Sequence, residues 1–411
     1  MKLVKMSLAA IVAAGALSSV ASATPLEEAI KNVDVSGFAR LRYQNTNTNI
    51  DKGQDKSEGQ YRFTMDVNFK AALDDNFYGV LGFRYDSQDI SGDANGRTNT
   101  YAGDNGVDNY GQTFNVRQMF LGYKAGNTTI QAGRQVLGTF FTDDMVGTGL
   151  KVLNTDITGL TLAAVAFDDL QADKDIGYST KDPATGDYNG GTYNSNLYGV
   201  AAIGSYDPFS FQLWYANLQD VAQLYAVDAG VSFDVTSDIN LGLQGQYGAS
   251  SIDDRYKEAG ITDADFWALQ AKFKGFGVDA RAGYVDFSAD KKDGNIGKSL
   301  ISYEDQGKFI EAGEDLFDIY KAFTGDNNYW FLVAGYTFDK FRVGVDYVDG
   351  KITKVPTIGE QDAYEVVARA DYQYSKKLKF QTWFGHYEID GKDTRGDEEA
   401  DRFRFDVRYN F

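Results

Sequence analysis

From Asp34 onward the chain alternates apolar and polar residues with a period of two, the pattern of a strand with one apolar and one wet face. The C-terminus shows it most plainly: Phe403, Phe405, Val407, Tyr409 and Phe411 take one parity, and Arg402, Arg404, Asp406, Arg408 and Asn410 take the other. The same stripe recurs as Tyr61, Phe63, Met65, Val67 and Phe69 against Arg62, Thr64, Asp66, Asn68 and Lys70. Marking every such run predicts strands near residues 34–43, 60–72, 77–86, 114–124, 128–135, 150–154, 160–167, 196–204 and 209–217. Further strands are predicted near 221–233, 240–249, 266–273, 276–287, 329–338, 341–348, 362–372, 378–387 and 401–411, eighteen in all, with 150–154 the weakest.

The connections alternate between short turns and long Gly/Asp/Asn-rich loops. Asp74-Asp75, Tyr206-Asp207-Pro208, Lys274-Gly275, Asp339-Lys340 and Ser375-Lys376-Lys377 are short, whereas 44–59, 88–113, 136–149, 168–195, 250–265, 288–328, 349–361 and 388–400 are long. Only 218–220 breaks the rule. Turns at one end and loops at the other are the layout of an all-β, antiparallel, up-and-down transmembrane β-barrel, here of 18 strands with 16 as the alternative. All four prolines fall outside the predicted strands, as they must where every strand is paired on both sides. Phe69, Phe77, Phe209, Phe233, Phe273, Phe276, Phe338, Phe341, Tyr372 and Phe411 gather on the apolar parity at the turn ends, which reads as an aromatic girdle at one membrane interface.

Composition narrows what such a barrel does. The 411 residues carry 59 acidic against 40 basic side chains, a formal charge of -19, with one His and no Cys. Thiol chemistry, disulfides and most His-based catalytic or metal sets are thereby removed, and the acidic balance argues against nucleic acid as a partner. No catalytic set emerges, so the reading is not an enzyme. His386 lies on the apolar parity with Phe380 and Phe384 and reads as an interface residue. Lys2 and Lys5, the apolar run Leu8 to Leu17 and the small residues Ala21-Ser22-Ala23 form a secretory signal peptide over 1–23, leaving 24–411 as a single barrel domain. The run is too short for a spanning helix, which needs ~20 apolar residues.

If the apolar stripes meet lipid, the other parity lines the lumen. It carries a basic set, Arg40, Arg42, Arg62, Arg84, Arg281, Arg342, Arg369, Arg402, Arg404 and Arg408, and an acidic set, Asp66, Asp86, Asp279, Asp346, Glu365, Asp371 and Asp406. Charges in such number are cheap only in a water-filled channel, and about eighteen strands enclose more space than side chains fill. The connection Val136 to Gly149 is unlike the other loops, because Val136, Leu137, Phe140, Phe141, Met145 and Val146 make it apolar. It is expected to fold into the barrel and present Asp143 and Asp144 to the lumen, where carboxylates opposed to an arginine wall favour cations and set a transverse field.

At this point the chain resembles bacterial general porins, and most closely the Campylobacter-type major outer membrane porins. The resemblance rests on TPLEEAIKNVDVSGFARLRY at 24–43, FLGYKAGNTTIQAGRQ at 120–135, GTGLKVLN at 147–154 and the terminal Phe411. It implies an eighteen-stranded, trimeric, cation-selective porin of the Gram-negative outer membrane with its third loop as constriction. It also implies a calcium ion near that constriction with Asp143 among the ligands; no other cofactor is required. The expected function is a water-filled, cation-preferring diffusion channel for ions and small hydrophilic solutes; a barrel acting mainly as an adhesin or a substrate-specific channel is the alternative. Expected partners are two further copies of the chain, lipopolysaccharide and outer-membrane lipid, and the barrel-assembly machinery through Phe411.

Overall fold

A computed structural model describes residues 33–50, 55–87, 114–142, 144–171, 175–176, 180–181, 188–189, 191–301, 309–310, 312, 324–353, 359–391 and 396–411. The signal-peptide reading over 1–23 lies outside these residues, as does Asp143. Eighteen antiparallel strands form one sheet, and β1 (Asp34–Ile50) pairs on one side with β2 (Lys56–Ala72) and on the other with β18 (Glu398–Asn410), so the sheet closes on itself. Between them run β3 (Phe77–Asp86), β4 (Phe114–Ala125), β5 (Thr128–Val136), β6 (Val146–Asn154), β7 (Leu160–Asp168), β8 (Leu197–Tyr206), β9 (Phe209–Leu218) and β10 (Ala222–Asp234). The circuit continues through β11 (Ile239–Ile252), β12 (Ala264–Gly275), β13 (Val278–Ala289), β14 (Asn327–Phe338), β15 (Phe341–Ile352), β16 (Gln361–Gln373) and β17 (Leu378–Ile389). Among the described residues no helix is long and apolar enough to cross a membrane; the strands do the crossing.

Closing the sheet removes its edges, and the terminal residue takes part: Phe411 donates its N–H to the Gly37 carbonyl at 3.1 Å and accepts the Gly37 N–H at 3.2 Å. Each turn is set by local chemistry. At Leu73–Asn76 the Asp74 carboxylate accepts the N–H groups of Asn76 and Phe77, both at 2.8 Å, closing the bend. Between β12 and β13 the turn is Phe276-Gly277, two residues beyond the expected Lys274-Gly275, with φ of 53° and 80°; two left-handed residues match the twist of a tight hairpin.

The expected strands are all present, and several run further at the loop end. β1 and β2 are each 17 residues long and stay paired to Thr48 opposite Lys56, although 44–59 reads as a loop in sequence. Asn45, Asn47, Ser57 and Glu58 give this extension no apolar stripe to mark it. The weakest strand, expected at 150–154, begins at Val146, which shortens the third long connection to residues 137–145.

The lipid-facing parity is as expected, with Phe209, Phe233, Phe276, Phe338 and Phe341 exposed at the turn ends. The lumen parity departs from the expectation of a polar wall. At the loop end of β7 through β14 it holds Val165, Phe167, Leu197, Ala216, Leu218, Leu224, Phe266, Val285, Phe287 and Phe331, all buried. They form one apolar cluster with the loop residues Leu137, Phe140, Phe141, Met145, Leu170, Ile176, Ile261, Leu300, Ile301, Phe309 and Ile310. The inner wall is therefore uneven: apolar toward the loop end of β7 through β17, with ion pairs set among β13, β15 and β16, and charged on β18 and β1 through β4.

Candidate pore constriction

The connection 137–145 belongs to the apolar wall. Its apolar content dictates its course, since exposing Leu137, Phe140, Phe141 and Met145 forfeits about 1.5–3 kcal/mol for each side chain left in water. All four are buried to 2 % exposure or less, and the rings of Phe140 and Phe141 meet edge to face at 5.8 Å. Polar groups close the turn around them. The Thr142 N–H donates to the Thr139 carbonyl at 3.4 Å, and the two threonine hydroxyls share a hydrogen bond of 3.0 Å. At its root the Leu137 N–H donates to the Met145 carbonyl at 2.9 Å, and Lys151 Nζ, itself buried on β6, donates to the Val136 carbonyl at 2.6 Å. The loop is thus held inward, as its sequence requires.

Held this way, the loop carries Asp144 to the charged wall. Asp144 Oδ2 accepts from Arg84 Nη1 and Arg117 Nη2, each at 2.7 Å, and Arg117 also donates to the Asp144 carbonyl. Arg84 Nε lies 3.6 Å from Asp66 Oδ1 on β2, extending the set to four residues of three strands and one loop. Enclosure by itself raises the Asp144 carboxyl, but the Arg117 and Arg84 guanidinia outweigh it and hold it below the usual carboxylate range. The side chain remains 47 % exposed, so the clamp borders open space. Asp144 is therefore seated on the arginine wall and does not oppose it across the lumen, and the transverse field expected from a free carboxylate does not arise from this residue.

Arg117 escapes the sequence pattern. Val116 and Met119 both point outward, at 45 % and 63 % exposure, which strict alternation forbids. The register explains it: Gly82 pairs with Gln118 and Phe83 with Val116, so Arg117 is the extra residue of a β-bulge and turns inward. A counted alternation from Leu121 and Met119 places Arg117 in lipid, where an arginine is costly; that cost was the available signal.

The other expected lumen residues are brought together largely in pairs. Arg42 meets Asp406 at 2.8 Å, Arg62 meets Asp86 at 2.8 Å, Arg342 meets Asp279 at 2.6 Å and Arg369 meets Asp346 at 2.5 Å. Asp371 takes Lys379 at 3.3 Å, and Arg404 donates to Gln44 Oε1 at 2.9 Å while its guanidinium lies 4.8 Å from the Trp383 ring centre. Arg402 donates to Thr46 Oγ1 at 3.0 Å. Glu365 is buried at 1 % exposure, Arg281 stands opposite Lys272, and Arg40 reaches Thr64 Oγ1 at 3.3 Å. His386 stays on the outer face but has an acid beside it, Asp401 Oδ1 at 2.9 Å.

The expected calcium ligand, Asp143, lies outside the described residues, among which no three His, Asp or Glu side chains converge. Its neighbour Asp144 offers its Oδ2 to two guanidinia.

Residues 1–411 match the family model described as Campylobacter major outer membrane protein. No curated protein matches the chain. Among solved structures the chain is similar to Pseudomonas aeruginosa OpdQ, with a TM-score of 0.65 and 13 % identity over 93 % of this chain and 99 % of that one. It is also similar to Acinetobacter baumannii OccAB3, with a TM-score of 0.66 and 12 % identity over 92 % and 99 % of the two chains. Pseudomonas aeruginosa OpdK gives a TM-score of 0.63 and 14 % identity over 92 % and 98 %. At these identities the likeness is one of fold.

Proposed function

The chain belongs to the Campylobacter major outer membrane protein family and is an outer-membrane porin; on that premise we propose that it forms a water-filled diffusion channel, narrowed by residues 137–145, that prefers cations and passes small hydrophilic solutes. The observation that carries this reading is the seating of an apolar loop on one inner wall so that its Asp144 reaches Arg84 and Arg117 on the other. A lumen filled by protein alone has no use for so many solvated charge pairs, whereas water between the walls makes them inexpensive.

Cation preference is attributed to the mouth, because Asp144 is neutralised by two arginines. The acidic surplus of the chain includes Asp253, Asp254, Asp290, Asp326, Asp390 and Asp397 in the described loops and loop-end segments. A carboxylate-rich vestibule raises the local cation concentration and repels anions before either reaches the clamp. The same reading includes a homotrimer, contact of the loop-end surface with lipopolysaccharide, and delivery by the barrel-assembly machinery through Phe411. Purified protein in a planar bilayer under a KCl gradient tests the channel: stepwise conductance with a reversal potential on the potassium side is expected, and silence or a chloride-side potential refutes it. For the trimer, an unheated sample must migrate on a gel as a larger species than a heated one.

A further inference from the structure

Arg40 on β1 and Arg408 on β18 are direct cross-strand partners on the lumen parity. Like charges placed directly opposite weaken a strand pair, and the sheet normally offsets them with an acid. Around this pair it does so repeatedly: Asp406 takes Arg42, Asp86 takes Arg62, and Asp66 and Asp144 take Arg84. Among the described residues neither Arg40 nor Arg408 has a carboxylate within salt-bridge distance, although Asp406 is near enough to act on both and Asp66 on Arg408. Arg40 Nη2 donates only to the Thr64 hydroxyl at 3.3 Å, that hydroxyl in turn donates to Asp86 at 2.8 Å, and Arg40 Nε is buried without an acceptor. Arg408 donates Nε to Asn410 Oδ1 at 3.1 Å, and its guanidinium carbon stands 4.0 Å from the centre of the Phe38 ring.

We propose that Arg40 and Arg408 form an oxyanion subsite inside the turn-side mouth of the channel, taking a small carboxylate or phosphate. The inference rests on the channel reading above. Arg408 stands near the turn end of its strand, close to Phe411, and is exposed, so a solute meets it from open space; Arg40 is half-buried and supplies the deeper contact. The guanidinium fork matches two oxygens of one oxyanion, and the Phe38 ring fixes the plane of the Arg408 fork. Lys379, opposite Arg408 on β17, adds positive charge to the same patch although Asp371 lies 3.3 Å away. Chloride gains the charge attraction but cannot use the fork, so the site distinguishes oxyanions from chloride.

Single-channel recording in KCl tests this, with potassium acetate or inorganic phosphate added on the turn side at constant potassium. Brief blockades whose frequency rises with acetate or phosphate, and which chloride does not produce, are expected for the native channel. In R40Q/R408Q the residence time shortens by about tenfold or more, because charge-assisted hydrogen bonds to both arginines are lost. R408K, which keeps charge but not the fork, is expected to fall between the two. A native channel that conducts without oxyanion blockades, or blockades unchanged in R40Q/R408Q, overturns the subsite while leaving the channel intact. Should the double variant not assemble, as judged by heat-modifiable migration, R408Q alone on its exposed side chain decides the same point. Absence of any conductance in the native protein removes the channel reading and this inference with it. Response to one oxyanion and not the other assigns the site to that class.

Discussion

The inner face of β18 and β1 through β4 and the inner face of β7 through β14 are built from the same alternating strands and face the same lumen, yet they are held by different forces. On the first, arginines and acids from neighbouring strands neutralise one another, as Arg42 with Asp406 and Arg62 with Asp86. On the second, Leu197, Leu224, Phe266 and Phe331 are buried in one apolar cluster with loop residues, and the loop 137–145 is seated by burial of its apolar side chains, with hydrogen bonds closing its root. The difference teaches how a wide barrel is narrowed: the apolar wall fixes a loop by burial, and the charged wall receives the polar residue that the loop delivers. Asp144 is the point where the two meet.

Breaking the apolar side should have the largest effect. Phe140→Ala with Phe141→Ala removes two ring anchors, each worth about 3–5 kcal/mol in a packed site. The loop should leave the wall and single-channel conductance should rise, while the barrel keeps its heat-modifiable migration. Unchanged conductance would mean that the loop is held by something other than burial.

Breaking a buried ion pair within the sheet, between β15 and β16, comes next. Arg369→Leu strands Asp346, whose side chain is 3 % exposed, and removing one member of such a buried pair costs about 3–5 kcal/mol. A lower thermal unfolding temperature in detergent with little change in conductance is the expected result, which separates the bracing role of this pair from the narrowing of the channel by the loop.

The junction itself gives a smaller effect of predictable sign. Asp144→Asn takes one carboxylate away from Arg84 and Arg117, with Asp66 still 3.6 Å from Arg84, and should lower the cation-to-anion permeability ratio, whereas R84Q/R117Q should raise it. Each charged hydrogen bond involved is worth about 1.5–3 kcal/mol. Reversal-potential measurements on both variants check the pair of signs, and equal shifts in one direction would contradict the clamp. The smallest effect is expected at Lys56 and Glu58, exposed at 67 % and 63 %, where Lys56→Gln should change unfolding by no more than about 1 kcal/mol.

Much of this was legible in sequence wherever one face of a strand meets lipid and the other meets water. Phe403 to Phe411 and Tyr61 to Phe69 show it, and the loop of Leu137, Phe140 and Phe141 betrayed its course by being apolar where a water-exposed loop is polar. Legibility failed where that contrast vanished. The extension Asn45 to Asn49 is polar on both parities, and at Phe266-Trp267-Ala268-Leu269 both parities are apolar, one buried inside and one exposed on the outer face. Arg117 was hidden by a bulge, which no count of two can see, and so was the clamp that Arg117 forms with Asp144. The pairing of Asp144 with Arg84 and Arg117 joins segments far apart in sequence, and no local pattern encodes it.

The most direct test of the central claim, a water-filled channel narrowed where the loop of one wall meets the arginines of the other, is the single-channel conductance and reversal potential of the native protein beside F140A/F141A in one KCl gradient. The account requires discrete steps and a potassium-side reversal potential in the native channel, with larger steps in the variant. Equal steps in the two proteins, or a chloride-side potential in the native one, would contradict it.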